Sequence, residues 1–142
     1  MILYADTSSL LKSYVSERHS EDVRAWIAAA DCLATSRVTY PEAAAALGRR
    51  QRRGDLPVGA LRAALRDLAR RWTEFMVVDL SEIRAGGLAV RHGLRGFDAV
   101  HLAAALTVRN AAGNDAVAFS SFDAALNRAA VSEGLIVLEP GA

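Results

Sequence analysis

Five short apolar runs, each separated from the next by helix-forming sequence, constrain the fold of this chain more than any other feature. The runs are Ile2-Leu3-Tyr4-Ala5, Leu33 to Ser36, Phe75-Met76-Val77-Val78, Ala116 to Phe119 and Leu135 to Leu138. Each is too short for a buried helix and lacks the strict polar alternation of a strand with one wet face. Strands alternating with helices point to a parallel sheet covered on both faces. The expected architecture is a single α/β domain of about five parallel strands spanning residues 1–142, with no linker, repeat or low-complexity tract to divide it.

The helices between the strands carry their own start and stop signals. Ser20-Glu21-Asp22 reads as a cap with acids in the first turn, opening a helix through Val23, Trp26 and Ile27. Thr39-Tyr40-Pro41-Glu42 opens an alanine-rich helix that ends in Arg49-Arg50-Gln51-Arg52-Arg53-Gly54, cations in the last turn and glycine after it. Leu56-Pro57 starts a helix with Leu61, Leu65, Leu68 and Trp72 on one face and Arg62, Arg66 and Arg70 on the other. Ser81-Glu82 begins another, followed by a loop from His92 to Gly96. The segment from Phe97 to Leu106 is helical and almost wholly apolar, and Phe122 to Val131 forms the last helix.

Composition closes off several classes. Hydrophobic residues are 52% and charged residues 23%, a globular rather than disordered balance. A net charge of +1 does not by itself select a nucleic-acid partner. Lys12 is the only lysine and every other basic side chain apart from histidine is arginine. That bias suits phosphate contacts and also follows from a GC-rich genome. Cys32 stands alone, so neither a disulfide framework nor a thiolate cage can form. No apolar run reaches the roughly 18 residues of a membrane span, and the expected setting is a reducing cytoplasm.

Four acids share one context. Asp6 follows the first strand, Glu42 opens the helix after the second, Asp98 opens the apolar late helix, and Asp123 follows the fourth strand. In a parallel sheet such positions face one edge, at the carboxyl ends of the strands, where ligands bind. Gathered there, they would repel one another unless cations intervened. Hard oxygen ligands with no soft donor nearby select Mg²⁺ or Mn²⁺. Such ions activate water and neutralise charge developing on a phosphodiester. Each acid also has a structural account. Asp6 caps a helix, Thr39-x-x-Glu42 fits a capping box, and Asp98 and Asp123 complement helix dipoles. Burial of a charge beside the apolar late helix, however, needs compensation.

Asp6 with Ser8, Glu42, Phe97-Asp98-Ala99-Val100-His101-Leu102-Ala103-Ala104-Ala105 and Ser121-Phe122-Asp123, in that order and spacing, resemble the PIN-domain proteins, specifically the VapC-type toxins of toxin–antitoxin pairs. The resemblance runs from the first strand to the last. It implies a Mg²⁺- or Mn²⁺-dependent endoribonuclease, a cognate VapB-type antitoxin that blocks the site, and a homodimer. It also implies that Asp6, Glu42, Asp98 and Asp123 are the metal-site acids, with Ser8 and Ser121 as supporting hydroxyls.

His101, three residues past Asp98, is expected to pack inside the fold, and His19 and His92 to be solvated. Arg49, Arg50, Arg52 and Arg53 are candidate contacts to RNA or to an acidic partner segment. A phosphoryl-accepting signalling domain fits poorly, because Ala5 precedes Asp6 and no lysine lies on a late strand. A phosphatase with an Asp-x-Asp nucleophile is disfavoured by Ser8. The competing possibility is a non-catalytic RNA- or antitoxin-binding module whose acids are only helix caps.

Overall fold

A computed structural model describes residues 1–141. Its elements are β1 (Ile2–Ala5), α1 (Thr7–Leu11), α2 (Ser20–Ala29), β2 (Cys32–Ser36), α3 (Thr39–Arg52), α4 (Val58–Trp72), β3 (Met76–Val78), α5 (Glu82–His92), α6 (Gly96–Ala112), β4 (Val117–Ser120), α7 (Ala124–Ser132) and β5 (Ile136–Val137). The five strands lie in the order β3-β2-β1-β4-β5, and every pairing is parallel. The expected α/β architecture is the one found.

The strand order follows from the apolar content of each run. β1 is the central strand, with Leu3 in register with Leu33 on one side and Ala118 on the other. Leu3, Tyr4 and Ala5 are wholly buried, whereas the edge strands leave Met76 and Ile136 exposed. Side chains of β1 alternate between two cores. Tyr4 packs into the larger one with α5, α6 and α7, while Ala5 joins Leu10, Leu33, Ala43 and Leu68 on the opposite face. A third cluster, around Val15, Leu47 and Ala64, ties the turn after α1 to α3 and α4.

Two helices explain their own sequences. From Ala99 to Leu106 every residue of α6 is buried, because the helix runs between the sheet and α5, with α7 on its flank. A helix enclosed on all sides has no polar stripe, which is why this segment shows so little periodicity. α5 ends at Gly93, whose φ of 64° is the left-handed C-cap conformation that glycine adopts without strain. No helix among the described residues is long and apolar enough to cross a membrane.

Some local expectations shift. The first helix is a short one and gives way to turns at Lys12. Cys32 is half-buried at the start of β2. His92 lies against the Glu133 carboxylate at 3.2 Å, and His19 stacks on Phe122, so neither is simply solvated.

α4 is held to the sheet by its Leu68 side chain, which is fully buried. Leu68→Ala should lower unfolding stability by about 3 kcal/mol, read from the midpoint of a urea titration, without changing the order of the sheet.

Candidate active site

After β1 the chain moves outward to β2 and β3, then crosses back to lay β4 against the other side of β1. The loops leaving β1 and β4 therefore diverge, and the gap between them is the position where open parallel sheets bind ligands. Asp6 lies at the end of β1, and Ser121 to Asp123 lie at the end of β4. Hydrogen bonds lace the gap. Asp6 N–H donates to the Ser120 carbonyl at 3.1 Å, the Ser9 and Ser120 hydroxyls meet at 2.6 Å, and Phe122 N–H donates to Ser8 Oγ at 3.0 Å.

Asp6 is 4% exposed. Its Oδ1 accepts from the Ser9 amide at 2.9 Å, capping α1, and from Ser8 Oγ at 2.7 Å. Burial pushes its pKa up, and the pull of His101 and hydrogen bonds from Ser121, Ser8 and the Ser9 amide offset this only in part. Asp6 thus carries a charge that its protein surroundings do not fully compensate.

Glu42 is held by a buried chain of hydrogen bonds that begins inside the larger core. Tyr4, kept protonated because burial drives its pKa well above the usual phenol value, lies 2.9 Å from His101 Nδ1. His101 Nε2 in turn meets Glu42 Oε1 at 3.0 Å. Thr7 Oγ1 donates to the same oxygen at 2.6 Å. Burial of Glu42 raises its pKa, but these bonds and the electrostatic pull of His101 outweigh burial and hold the carboxyl below its ordinary range. The capping box is not formed. The cap of α3 is Val38, and the Thr39 hydroxyl meets that of Thr35 at 2.7 Å. His101, 2% exposed, is packed inside the fold as its position suggests, yet its outer nitrogen touches an acid of the cleft.

Asp98 and Asp123 are joined by an arginine. Arg95 Nε donates to Asp98 Oδ2 at 3.1 Å, and its Nη2 to Asp123 Oδ2 at 3.2 Å. Hydrogen bonding to Asp98 above all, with the Asp123 charge, raises the Arg95 pKa further. Asp123 also caps α7 through Oδ1 and the Leu126 amide at 2.8 Å. Ser121 Oγ accepts from the Asp123 amide at 3.1 Å.

Asp6, Glu42, Asp98 and Asp123 all line one cleft of about 700 Å³, together with Thr7, Ser8, Arg49, Arg95 and His101. The donor set is carboxylate and hydroxyl oxygen, which suits a hard divalent cation. Among the described residues no three Asp, Glu, His or Cys side chains converge closely enough to cage an ion as they are oriented. Arg95 takes one oxygen from each of two of these acids, Asp98 and Asp123.

The arginine cluster divides. Arg50 pairs with Glu17 at 2.6 Å and Arg53 with Asp55 at 3.3 Å. Arg49 faces the cleft, and Arg52 is exposed. Tyr4, Thr7 and Arg95 are the neighbours of the acids that the sequence does not single out. Arg95 carried a legible signal, since i,i+3 spacing puts it over Asp98 at a helix start. The Tyr4–His101 contact spans 97 residues and has no local signature.

The PIN-domain family model matches residues 3–132, and the chain belongs to that family. Within it the likeness is to the VapC ribonucleases. Over 110 residues, 75% of this chain and 76% of the relative, it is 40% identical to Ribonuclease VapC45 of Mycobacterium tuberculosis (strain CDC 1551 / Oshkosh). The fold is shared with the crystal structure of Mycobacterium tuberculosis VapC20, described as a Sarcin-Ricin loop cleaving toxin, at a TM-score of 0.68 and 20% identity, covering 97% of this chain and 99% of that one. It is shared also with a toxin–antitoxin complex from Klebsiella pneumoniae, at a TM-score of 0.55 and 20% identity, covering 87% of each chain.

Two substitutions probe the buried polar groups. Asp6→Asn keeps an oxygen to cap α1 and removes the undercompensated charge, so the metal-free protein should gain about 1 kcal/mol in thermal denaturation with EDTA present. Tyr4→Phe leaves His101 Nδ1 without its partner and should cost about 1–3 kcal/mol in the same measurement.

Proposed function

We propose that this protein is a divalent-metal-dependent endoribonuclease, the toxin of a toxin–antitoxin pair, acting on single-stranded or loop RNA in the cytoplasm. The observation that carries this reading is the gathering of Asp6, Glu42, Asp98 and Asp123 in one cleft at the divergence of β1 and β4. Membership of the PIN-domain family and 40% identity to a VapC ribonuclease support it.

In this reading the four acids hold Mg²⁺ or Mn²⁺. The cation, when bound, supplies Lewis-acid activation of water and neutralises charge on the phosphodiester. The chain's own residues do the positioning. Asp6, already stripped of water, is the acid with most to gain from a cation. Ser8 fixes the Asp6 oxygen and the Phe122 amide at once, which ties the β1 acid to the β4 loop. Thr7 and His101 fix the rotamer of Glu42. Ser121 orders the turn that presents Asp123. No side-chain nucleophile is needed, because water attacks phosphorus and a phosphorus–oxygen bond of the backbone breaks. An open cleft with acids on its floor admits a single strand or a loop more readily than a duplex.

The partners proposed on the same basis are a VapB-type antitoxin that covers the cleft and a second copy of the chain. Arg49 at the cleft and Arg52 beyond it are the arginines left to meet RNA phosphates or an acidic antitoxin segment.

One observation favours a second reading. Asp6 and Asp123 do cap α1 and α7, as they would in a module that binds RNA or an antitoxin without cutting. Cleavage of a structured RNA pool separates the two. Wild-type protein should cut with Mg²⁺ or Mn²⁺ and not with EDTA. Asp6→Asn and Asp98→Asn, folded by circular dichroism, should lose at least about a hundredfold in rate. Cutting that survives both substitutions places the chemistry elsewhere, and folded wild-type protein that cuts nothing favours the binding module.

A further inference from the structure

Arg95 caps α6 and Phe97 lies in its first turn, and neither of these two side chains is explained by packing. The Arg95 side chain is 82% exposed yet reaches two acids on different elements, Asp98 of α6 and Asp123 before α7. Phe97 is 60% exposed although it is a large aromatic residue. Both line the acidic cleft, and both also line a second cleft of about 740 Å³ that runs between α5 and the start of α6, past Leu80, Ala85 and Ala89. They stand on the ridge between the two depressions.

We propose that this turn grips the substrate: Arg95 is the counter-cation of Asp98 and Asp123 in the metal-free protein and moves to a backbone phosphate of single-stranded RNA when a divalent cation takes those carboxylates, while Phe97 stacks on the adjoining base. The proposal rests on the ribonuclease reading and names the residues that hold its substrate.

First, four carboxylates on a cleft floor repel a phosphate as well as one another, so an approaching RNA needs cations on the walls. Arg95 stands on one wall, and Arg49 stands on the α3 side with no ion pair among the described residues. Second, exposed ion pairs are weak and readily exchanged, whereas a divalent cation bound by the same oxygens is not. Arg95 is therefore a cation that the site can release. A guanidinium freed beside a phosphate finds a second bidentate partner. Third, sequence-tolerant binding of single strands combines a cationic track with an aromatic face for the bases. Arg95 and Phe97, one residue apart across a glycine, supply both elements at the point where the two clefts meet. A peptide partner would use the apolar wall of the second cleft but has no need of an arginine parked on the acids.

The test pairs Mn²⁺ binding, followed by electron paramagnetic resonance, with binding of a short labelled oligouridylate in the cold, its integrity checked on a gel. Arg95→Gln should bind Mn²⁺ about three- to tenfold more tightly, since a competing cation is gone. In the presence of Mn²⁺ it should bind the oligouridylate less tightly, with the salt slope reduced by about 0.7, the value of one phosphate contact on a single strand. Phe97→Leu should leave Mn²⁺ affinity and salt slope unchanged and weaken RNA binding about five- to a hundredfold. Arg95→Gln protein with unaltered Mn²⁺ affinity overturns the parked counter-cation. An unaltered salt slope overturns the phosphate contact, and RNA binding indifferent to both substitutions overturns the grip as a whole. If wild-type protein cleaves RNA while these effects are absent, the nuclease reading stands and this inference falls. If it neither binds Mn²⁺ nor cleaves, both fall.

Discussion

A carboxylate held out of water at the end of the central strand is the constraint around which the structure is arranged. Asp6 sits where β1 leaves the sheet, almost wholly buried, and a charge there is tolerated only because polar groups close on it from two loops. The Ser9 amide and the Ser8 hydroxyl bind it directly, and Ser8 in turn takes the Phe122 amide from beyond β4. Those bonds fasten α1, β1 and the β4 loop into one unit. The raised pKa of Asp6 shows that compensation is incomplete.

The same economy governs the other acids, each by a different device. Glu42 is steadied from within by Tyr4, His101 and Thr7, a polar thread running from the core to the cleft. Asp98 and Asp123 are balanced from outside by Arg95, which solvent surrounds. The inner device is rigid because its members are buried and mutually satisfied. The outer one is exchangeable because it is exposed. A cleft with two acids fixed and two neutralised by a movable cation is preorganised on one side and adjustable on the other, the combination a site needs if it must bind an ion and then a phosphate.

Helix capping does not use up these carboxylates. Asp6 uses one oxygen to cap α1, and Asp123 uses one to cap α7 while its second oxygen meets Arg95. The first turn of a helix is a place where a carboxylate is stabilised by backbone amides and still points outward. Building the acids into helix starts thus lowers the cost of assembling like charges. The expected Thr39–Glu42 capping box fails for a related reason: the Thr39 hydroxyl is already committed to Thr35, and Glu42 turns instead toward Thr7 and His101.

Local chemistry carried much of the fold into the sequence. Short apolar runs alternating with capped helices sufficed for a parallel five-stranded α/β sheet, because strand burial and helix amphipathicity are written in neighbouring residues. The order and spacing of Asp6, Glu42, Asp98 and Asp123 sufficed to propose a site, because a parallel sheet delivers every strand end to one edge. What tertiary structure alone decided is how those acids are held. That Tyr4 reaches His101, that His101 reaches Glu42 rather than water, and that Arg95 spans Asp98 and Asp123 depend on side chains brought together from distant points of the chain. Periodicity and propensity describe a residue's own neighbourhood, whereas the charge balance of a cleft is set by whichever groups the packed core finally turns toward it.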